Sequence, residues 1–388
     1  MIYFDHAAST PLDERVLEKM LPYLKEEYGN PSSVHALGRE GRAALERARD
    51  EIANTLNADP KEIVYTSGGT EGINAILKGV AWAHEGKPRH IILSAVEHHC
   101  VLDCADWLTN HGVSVTTVPV DSEGFVDPKA VQKAVRKGET RLIGLMAANN
   151  EVGAIQPFRE VGAFARENGI LFMTDAVQAY GKLSLDTQRD KIDFLSVAAH
   201  KIYGPKGAGF IYQRRGVELV PLIHGGGQEK DRRGGTENVA GIVGMAEAAR
   251  LIHSDPTEMG RLKVMGEIFL DEARKIFPDL KLNGPADPDR RLPGLLNVTL
   301  PGLDGENLVH SLDAKGFAVS SGAACAAGSA PPSHVLAAMG RSPKEAKQGL
   351  RLSFGRHNTG DQVKQFLKAL PEVVQGLRMM SSLFEDDK

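Results

Sequence analysis

Cysteine is scarce: the 388 residues include only Cys100, Cys104 and Cys325. An odd, low count argues against a disulfide framework and for a reducing, cytoplasmic compartment. Cys100 and Cys104 lie four residues apart and would share a helix face. With no further ligands at suitable spacing they read as small core residues, so no metal is expected. Long apolar runs are missing, which removes a membrane-spanning helix from the expectations. The opening MIYFDHAAST has neither a basic segment nor an extended apolar one and does not read as a secretory signal. A dominant charge is lacking as well. A formal net charge of −4 exerts no global pull on nucleic acid or an anionic membrane, so any anion site must be local. Internal repeats, low-complexity tracts and charge blocks are absent.

What is present is a regular alternation. Ile63–Thr66, His90–Ser94, Ser114–Val118, Leu142–Ala147, Leu171–Thr174, Phe194–Val197 and Gly209–Tyr212 read as strands. Several are apolar on both faces, as buried parallel strands are. Helical stretches at Thr70–His84, Pro128–Lys137 and Arg159–Asn168 separate them. The pattern predicts an α/β fold with a mainly parallel sheet and right-handed crossovers. A Gly-rich, charged loop follows at 224–238, then a long helix from Val239 to about Phe277, interrupted near Asp255-Pro256. Beyond it, Leu295–Thr299, Ala318–Ser320 and Leu350–Phe354 read as strands among terminal helices. The expected division is a large domain, 14–255, and a smaller α+β domain, 256–388, joined by the N-terminal segment 1–13.

Four segments carry chemistry. Lys201, in AAHKIYGPKG, directly follows the buried run Phe194–Val197. A lysine there either snorkels to water or loses its charge, and condensation with an aldehyde is one way to lose it. Asp175 follows the run Leu171–Thr174, where a carboxylate needs a cation or serves as a helix N-cap. A protonated ring nitrogen would be such a cation, and Gln178 lies three residues on, within reach of the same ring. The turn Ser67-Gly68-Gly69-Thr70-Glu71-Gly72 joins a strand to a helix, and free N–H groups there suit a phosphate. It lacks the spacing of a nucleotide-binding phosphate loop. His98, in Val96-Glu97-His98-His99, ends a strand and is either structural or a ring that stacks on a cofactor.

The order SGGTE, EHH, NNEVG, DAVQ, HKIYGPKG, HGGG, GGTEN, SSGAAC, GR resembles class V pyridoxal-phosphate (PLP) enzymes, specifically cysteine desulfurases of the NifS/IscS type. The likeness runs from DHAAST to Gly355-Arg356. It implies the type I PLP-transferase fold, with a mainly parallel seven-stranded sheet flanked by helices and a smaller α+β domain. It implies that Lys201 binds the cofactor's aldehyde, Asp175 pairs with the pyridinium, Gln178 bonds the phenolic oxygen and His98 stacks on the ring. Thr70 and His200 would contact the phosphate, with a backbone contact from Gly69. Thr236 would reach the phosphate of a neighbouring subunit, which implies a homodimer. Asn149 and Arg356 would hold the carboxylate of the substrate, L-cysteine. One position departs from the pattern: relatives commonly have serine where this chain has Ala198, and the lost hydrogen bond to a charged group is worth about 1.5–3 kcal/mol.

Cys325 sits in SSGAACAAGSAPP, small residues without helical or strand period, which read as a mobile surface loop. Inert buried cysteines need apolar neighbours that this segment lacks. The resemblance implies that Cys325 takes the sulfur of cysteine as a persulfide, leaving alanine. The loop length resembles the branch that hands sulfur directly to an iron–sulfur scaffold or another sulfur carrier. Other class V activities, such as an aminotransferase or a selenocysteine lyase, would keep Lys201 and Asp175 without requiring Cys325. A catalytically inert scaffold would have no reason to retain the whole set.

Overall fold

A computed structural model describes residues 1–87, 89–321 and 331–385, with side chains through Met379. The strands of the large sheet are β2 (Ile63–Thr66), β3 (His90–Ser94), β4 (Ser114–Val118), β5 (Thr140–Gly144), β6 (Leu171–Asp175), β7 (Phe194–Ala198) and β8 (Gly209–Gln213), after a short first strand, β1 (Ile2–Tyr3). The seven strands β2 to β8 lie in the order β2-β8-β7-β6-β5-β3-β4. Only β8 opposes its neighbours, so β2 to β7 all run the same way and their carboxyl ends share one edge. β3 shows why the strands are apolar throughout. Ile92 faces one core with Ile63, Tyr65 and Ile143, while Ile91 and Leu93 face another with Val64 and Leu142. A sheet covered on both sides leaves no polar alternation in its central strands.

Eleven α-helices are present among the described residues: α1 (Glu14–Lys25), α2 (Ala36–Asn54), α3 (Gly69–Ala83), α4 (His99–Thr109), α5 (Pro128–Ala134), α6 (Phe158–Glu167), α7 (Val239–His253), α8 (Glu258–Ile276), α9 (Gly305–Ala314), α10 (His334–Ala338) and α11 (Gly360–Glu385). The expected helix from 239 to 277 is thus two, α7 and α8. Pro256 has no N–H for an intrahelical bond and disfavours helix in the residue before it. The N-terminal helices were not anticipated from the sequence. α2 buries Ala44, Leu45, Ala48, Ile52 and Ala53 at helical spacing, and the Nδ1 of His35 caps it by accepting from the Gly38 N–H at 3.3 Å.

The C-terminal part holds an antiparallel sheet of β9 (Lys281–Asn283), β10 (Leu295–Thr299) and β12 (Gly349–Ser353), with β10 central. β1 pairs in parallel with β11 (Phe317–Ala318), so the start of the chain is built into its C-terminal part. Phe4 is fully buried in that core, against Phe354 and Phe366. Phe366 also meets Phe269 and Phe317. Replacing Phe366 with alanine would therefore take a shared ring partner from Phe4, Phe269 and Phe317 at once. An expected loss of about 3–5 kcal/mol would show as a lower denaturant midpoint, and an unchanged midpoint would refute this ring's role in the core.

Candidate active site

Parallel strands bring their carboxyl ends to one edge, the usual place for a ligand in an open α/β sheet. Asp175 is the last residue of β6. Lys201 closes a single 3-10 turn, Ala199–Lys201, after β7. His98 caps α4 beyond the end of β3. β2 runs in the same sense, so the amino end of α3 opens on this edge too. Past β5, the N–H groups of Leu145 and Ala147 still bond Met173 and Asp175, which carries the chain on toward Asn149.

Burial sets the charges. The Asp175 carboxylate accepts the Val177 N–H at 2.9 Å. Desolvation pushes its pKa up to about 6, opposed by that N–H and by Lys201. Desolvation and then the Lys201 charge push His98 down to about 4, and His200 likewise. The Nδ1 of His98 accepts the Cys100 N–H at 3.1 Å, so the neutral ring carries its proton on Nε2. Next to it, Glu97 is fully buried. Ser94 Oγ and the Met146 N–H donate to its Oε1, yet burial raises its pKa to about 7.

The N-terminal segment supplies the other wall. Lys201 Nζ donates to the carbonyls of Ala7 and Ala8, at 2.6 and 2.7 Å. Gln178 Nε2 donates to the same Ala7 carbonyl at 2.8 Å. Thr10 donates twice to the His200 carbonyl and takes the Tyr203 N–H on its hydroxyl. Tyr203 has φ of 66°, a left-handed backbone that a bulky residue adopts only where its surroundings enforce it.

At the amino end of α3, Gly69 is required for space. A Cβ there would come within 2.7 Å of Val177 Cγ2. Thr70 is exposed in the first turn, and buried Ala198 lies behind Gly69. Ser196 Oγ donates to the Gly69 carbonyl at 3.3 Å. Glu71 takes the Ser67 N–H and pairs with Arg233 at 2.9 Å. That ion pair ties the Gly-rich loop to the turn. Thr236, three residues past Arg233, is exposed on the loop.

The two residues expected to hold a substrate carboxylate stand in different surroundings. Asn149 is buried; its Oδ1 takes the N–H groups of Glu151 and Val152, and its Nδ2 reaches the Val96 carbonyl. Arg356 is clamped by two buried carboxylates, with Nη1 on Asp13 at 2.8 Å and Nε on Glu258 at 2.9 Å. Its guanidinium charge is thereby already answered. Arg351, which sequence reasoning passed over, is the arginine beside Asn149. It lies in the middle of β12, 4% exposed, donating to the Asn150 carbonyl at 3.0 Å and to Asp5 at 2.8 Å. Its Nε is buried without a hydrogen-bond partner. The signal was available: a charge inside the strand Leu350–Phe354 is costly unless something pairs with it.

Cys325 lies outside the described residues. Both flanks of its segment are described, and both meet the site. Ser320 exchanges two backbone bonds with Arg351. On the far side Ser333 Oγ donates to Glu151 at 2.5 Å, and the His334 ring bonds the Glu97 carbonyl and lies 4.5 Å from the His99 ring.

Residues 2–366 match the family described as Aminotransferase class-V. The chain belongs to that family. Cysteine desulfurase IscS of Dictyoglomus turgidum is 45% identical over 381 residues, covering 98% of this chain and 96% of that relative. A solved NifS-like protein superposes with a TM-score of 0.91 at 38% identity, covering 97% of this chain and all of the other. A structure described as SspA in complex with cysteine gives 0.81 at 37% identity, over 92% of this chain and 100% of that one. Class V aminotransferases depend on pyridoxal phosphate, and the residues present fit that group. A buried carboxylate stands ready for a ring cation, a lysine amine faces it, and a glycine turn leaves the first turn of a 15-residue helix open for an anion. Among the described residues no helix is long and apolar enough to cross a membrane, and no cluster of three or more His, Cys, Asp or Glu could hold a metal.

A pH dependence follows from Asp175. Folding raises its proton affinity, so its contribution to stability is complete at acid pH and is lost as pH rises through about 6. In the cofactor-free chain, Asp175→Asn should gain in unfolding midpoint relative to the unmodified protein as pH is raised from about 4 to about 7. A gap that stays constant with pH would contradict burial as the cause.

Proposed function

We propose that this protein is a pyridoxal-phosphate-dependent cysteine desulfurase, which converts L-cysteine to L-alanine and leaves the sulfur as a persulfide on Cys325. The observation that carries the reading is the convergence, at one sheet edge, of Lys201, Asp175 and His98 with both flanks of the Cys325 segment. Bound there, pyridoxal phosphate would supply an electron sink for negative charge developing at the substrate's α-carbon.

Each residue then has a definite task. Lys201 would hold the cofactor's aldehyde through its amine, and its Nζ would take the substrate's α-proton. Asp175 would pair with the ring nitrogen, Gln178 would donate an amide N–H to the phenolic oxygen, and His98 would lie against the ring as a neutral imidazole. Gly69, Thr70 and His200 would hold the phosphate, joined by Thr236 from a second copy of the chain, which would make the working form a homodimer. Arg351, with Asn149, receives the substrate carboxylate by turning its fork from Asp5, while Arg356 braces the N-terminal segment through Asp13. The Cys325 thiolate attacks the substrate's sulfur. As the S–S bond forms, the C–S bond breaks, its electron pair stays on the β-carbon, protonation there completes alanine's methyl group, and the proton held on Lys201 Nζ returns to the α-carbon. An iron–sulfur scaffold or another sulfur carrier would be the acceptor.

Incubating the PLP-loaded chain with L-cysteine should add one sulfur to the peptide containing Cys325, read by mass. Cys325→Ala should abolish sulfide release while leaving the cofactor's visible band. Retained desulfuration in that variant would favour a class V activity that does not need the thiol. Arg351→Lys should raise KM for cysteine roughly 10- to 100-fold, the worth of about 1.5–3 kcal/mol in one charged hydrogen bond. Arg356→Lys should lower the unfolding midpoint more than it changes KM. The reverse pattern would return the carboxylate site to Arg356.

A further inference from the structure

Ser320 and Ser333 bracket the segment that carries Cys325, and both reach one turn, residues 149–152. On the near side Ser320 exchanges two backbone bonds with Arg351, whose Nη1 donates to the Asn150 carbonyl at 3.0 Å. On the far side Ser333 Oγ donates to Glu151 Oε2 at 2.5 Å, and both of these side chains are buried.

The Ser333 hydroxyl is used twice. Its proton goes to Glu151, and its lone pair takes the Leu336 N–H at 3.1 Å, which caps α10. The Ser333 N–H donates to the Ala346 carbonyl at 3.2 Å. An O–H···O contact as short as that to Glu151 is of the charge-assisted kind. Burial raises the pKa of Glu151, opposed by the Ser333 hydroxyl and then by the charge of Arg351. Taking a carboxylate out of water is costly, so packing alone would favour an apolar residue at 151. What the carboxylate adds is direction.

We propose that Glu151 is a positioning residue for the sulfur-transfer step: through Ser333 it sets the first turn of α10, and with it the point at which the chain after Cys325 is fastened. Holding the substrate does not depend on that side chain. Asn149 Oδ1 takes the N–H of residue 151 at 2.8 Å, and Asn297 Nδ2 donates to its carbonyl at 3.3 Å; both are backbone groups that survive a change of side chain. The His334 ring makes a second tie, to the Glu97 carbonyl at 2.9 Å, so loss of the Glu151 bond would shift α10 rather than release it. A misplacement of about 1 Å can cost about 100-fold in rate.

The inference rests on Cys325 being the sulfur acceptor, and the test reads the two apart. The PLP-loaded full chain is mixed with L-cysteine in a single turnover. The change in the visible band reports substrate reaching the cofactor, and mass analysis of the quenched Cys325 peptide reports sulfur transfer. In Ser333→Ala and Glu151→Leu the band change should keep its rate and its dependence on cysteine concentration, while sulfur transfer slows about 10- to 100-fold. Glu151→Gln keeps an acceptor oxygen for Ser333 and should lose less than Glu151→Leu. Combining Ser333→Ala with Glu151→Leu should slow transfer no further than the slower single variant, because the two groups act as a unit. In the cofactor-free chain, amide exchange at the start of α10 should quicken in Glu151→Leu. Unchanged transfer in Ser333→Ala and Glu151→Leu, or unchanged exchange, would overturn the proposal. So would equal losses in both rates, the mark of a merely structural role, or a loss in Ser333→Ala that Glu151→Leu lacks, because the helix cap would then be the whole effect. Should Glu151→Leu not take up PLP, Ser333→Ala and Glu151→Gln carry the same comparison. An unmodified chain that adds no sulfur to Cys325 sinks the desulfurase reading instead.

Discussion

The whole site turns on the cost of charge at the end of buried strands. β6 and β7 are neighbours in the middle of the sheet and carry Asp175 and Lys201 out of the same apolar layer. Neither group has enough water around it to be indifferent to its charge state. The same burial that raises Asp175 and Glu97 lowers His98 and His200. One dielectric environment thus makes carboxyl groups hold protons and imidazoles release them. A cofactor with a ring cation and an aldehyde answers both the carboxylate and the amine at once.

The N-terminal segment is the strap that joins this edge to the rest of the molecule. Ile2–Tyr3 pairs with Phe317–Ala318, and Phe4 fills the C-terminal core. A few residues on, the carbonyls of Ala7 and Ala8 take Lys201, and Thr10 fastens the His200–Tyr203 turn. Asp13 then caps α1 and holds Arg356. Removal of any one link would be felt at the amine, because the strap is continuous backbone. Ion pairs brace the surroundings. Arg49 meets Glu229 through two buried bonds, which holds the Gly-rich loop against β2, and Arg233 with Glu71 ties that loop to the glycine turn before α3.

Breaking the Arg49–Glu229 pair from one side would leave a buried charge unanswered, which generally costs about 3–5 kcal/mol. Nature's alternative, a packed apolar contact, could hold the loop as firmly. An ion pair carries direction as well: the Glu229 carboxylate also takes the Tyr65 N–H, which sets the loop's height above the strand.

The amino-acid sequence by itself determined the strands, since runs that are apolar on both faces have no other stable home. It also determined which residues leave those runs at the active edge. Lys201, Asp175, His98 and the Gly69 turn were legible because each follows a buried strand within a few residues. The two N-terminal helices escaped notice, although α2 carries its apolar stripe openly. Only the tertiary structure decided the partners. Arg351 and Arg356 are five residues apart and chemically the same, yet β12 buries the first beside Asn149 and the turn after it delivers the second to Asp13 and Glu258. Local order follows from short-range sterics and periodicity; charge pairing depends on distances that exist only after the chain has closed on itself.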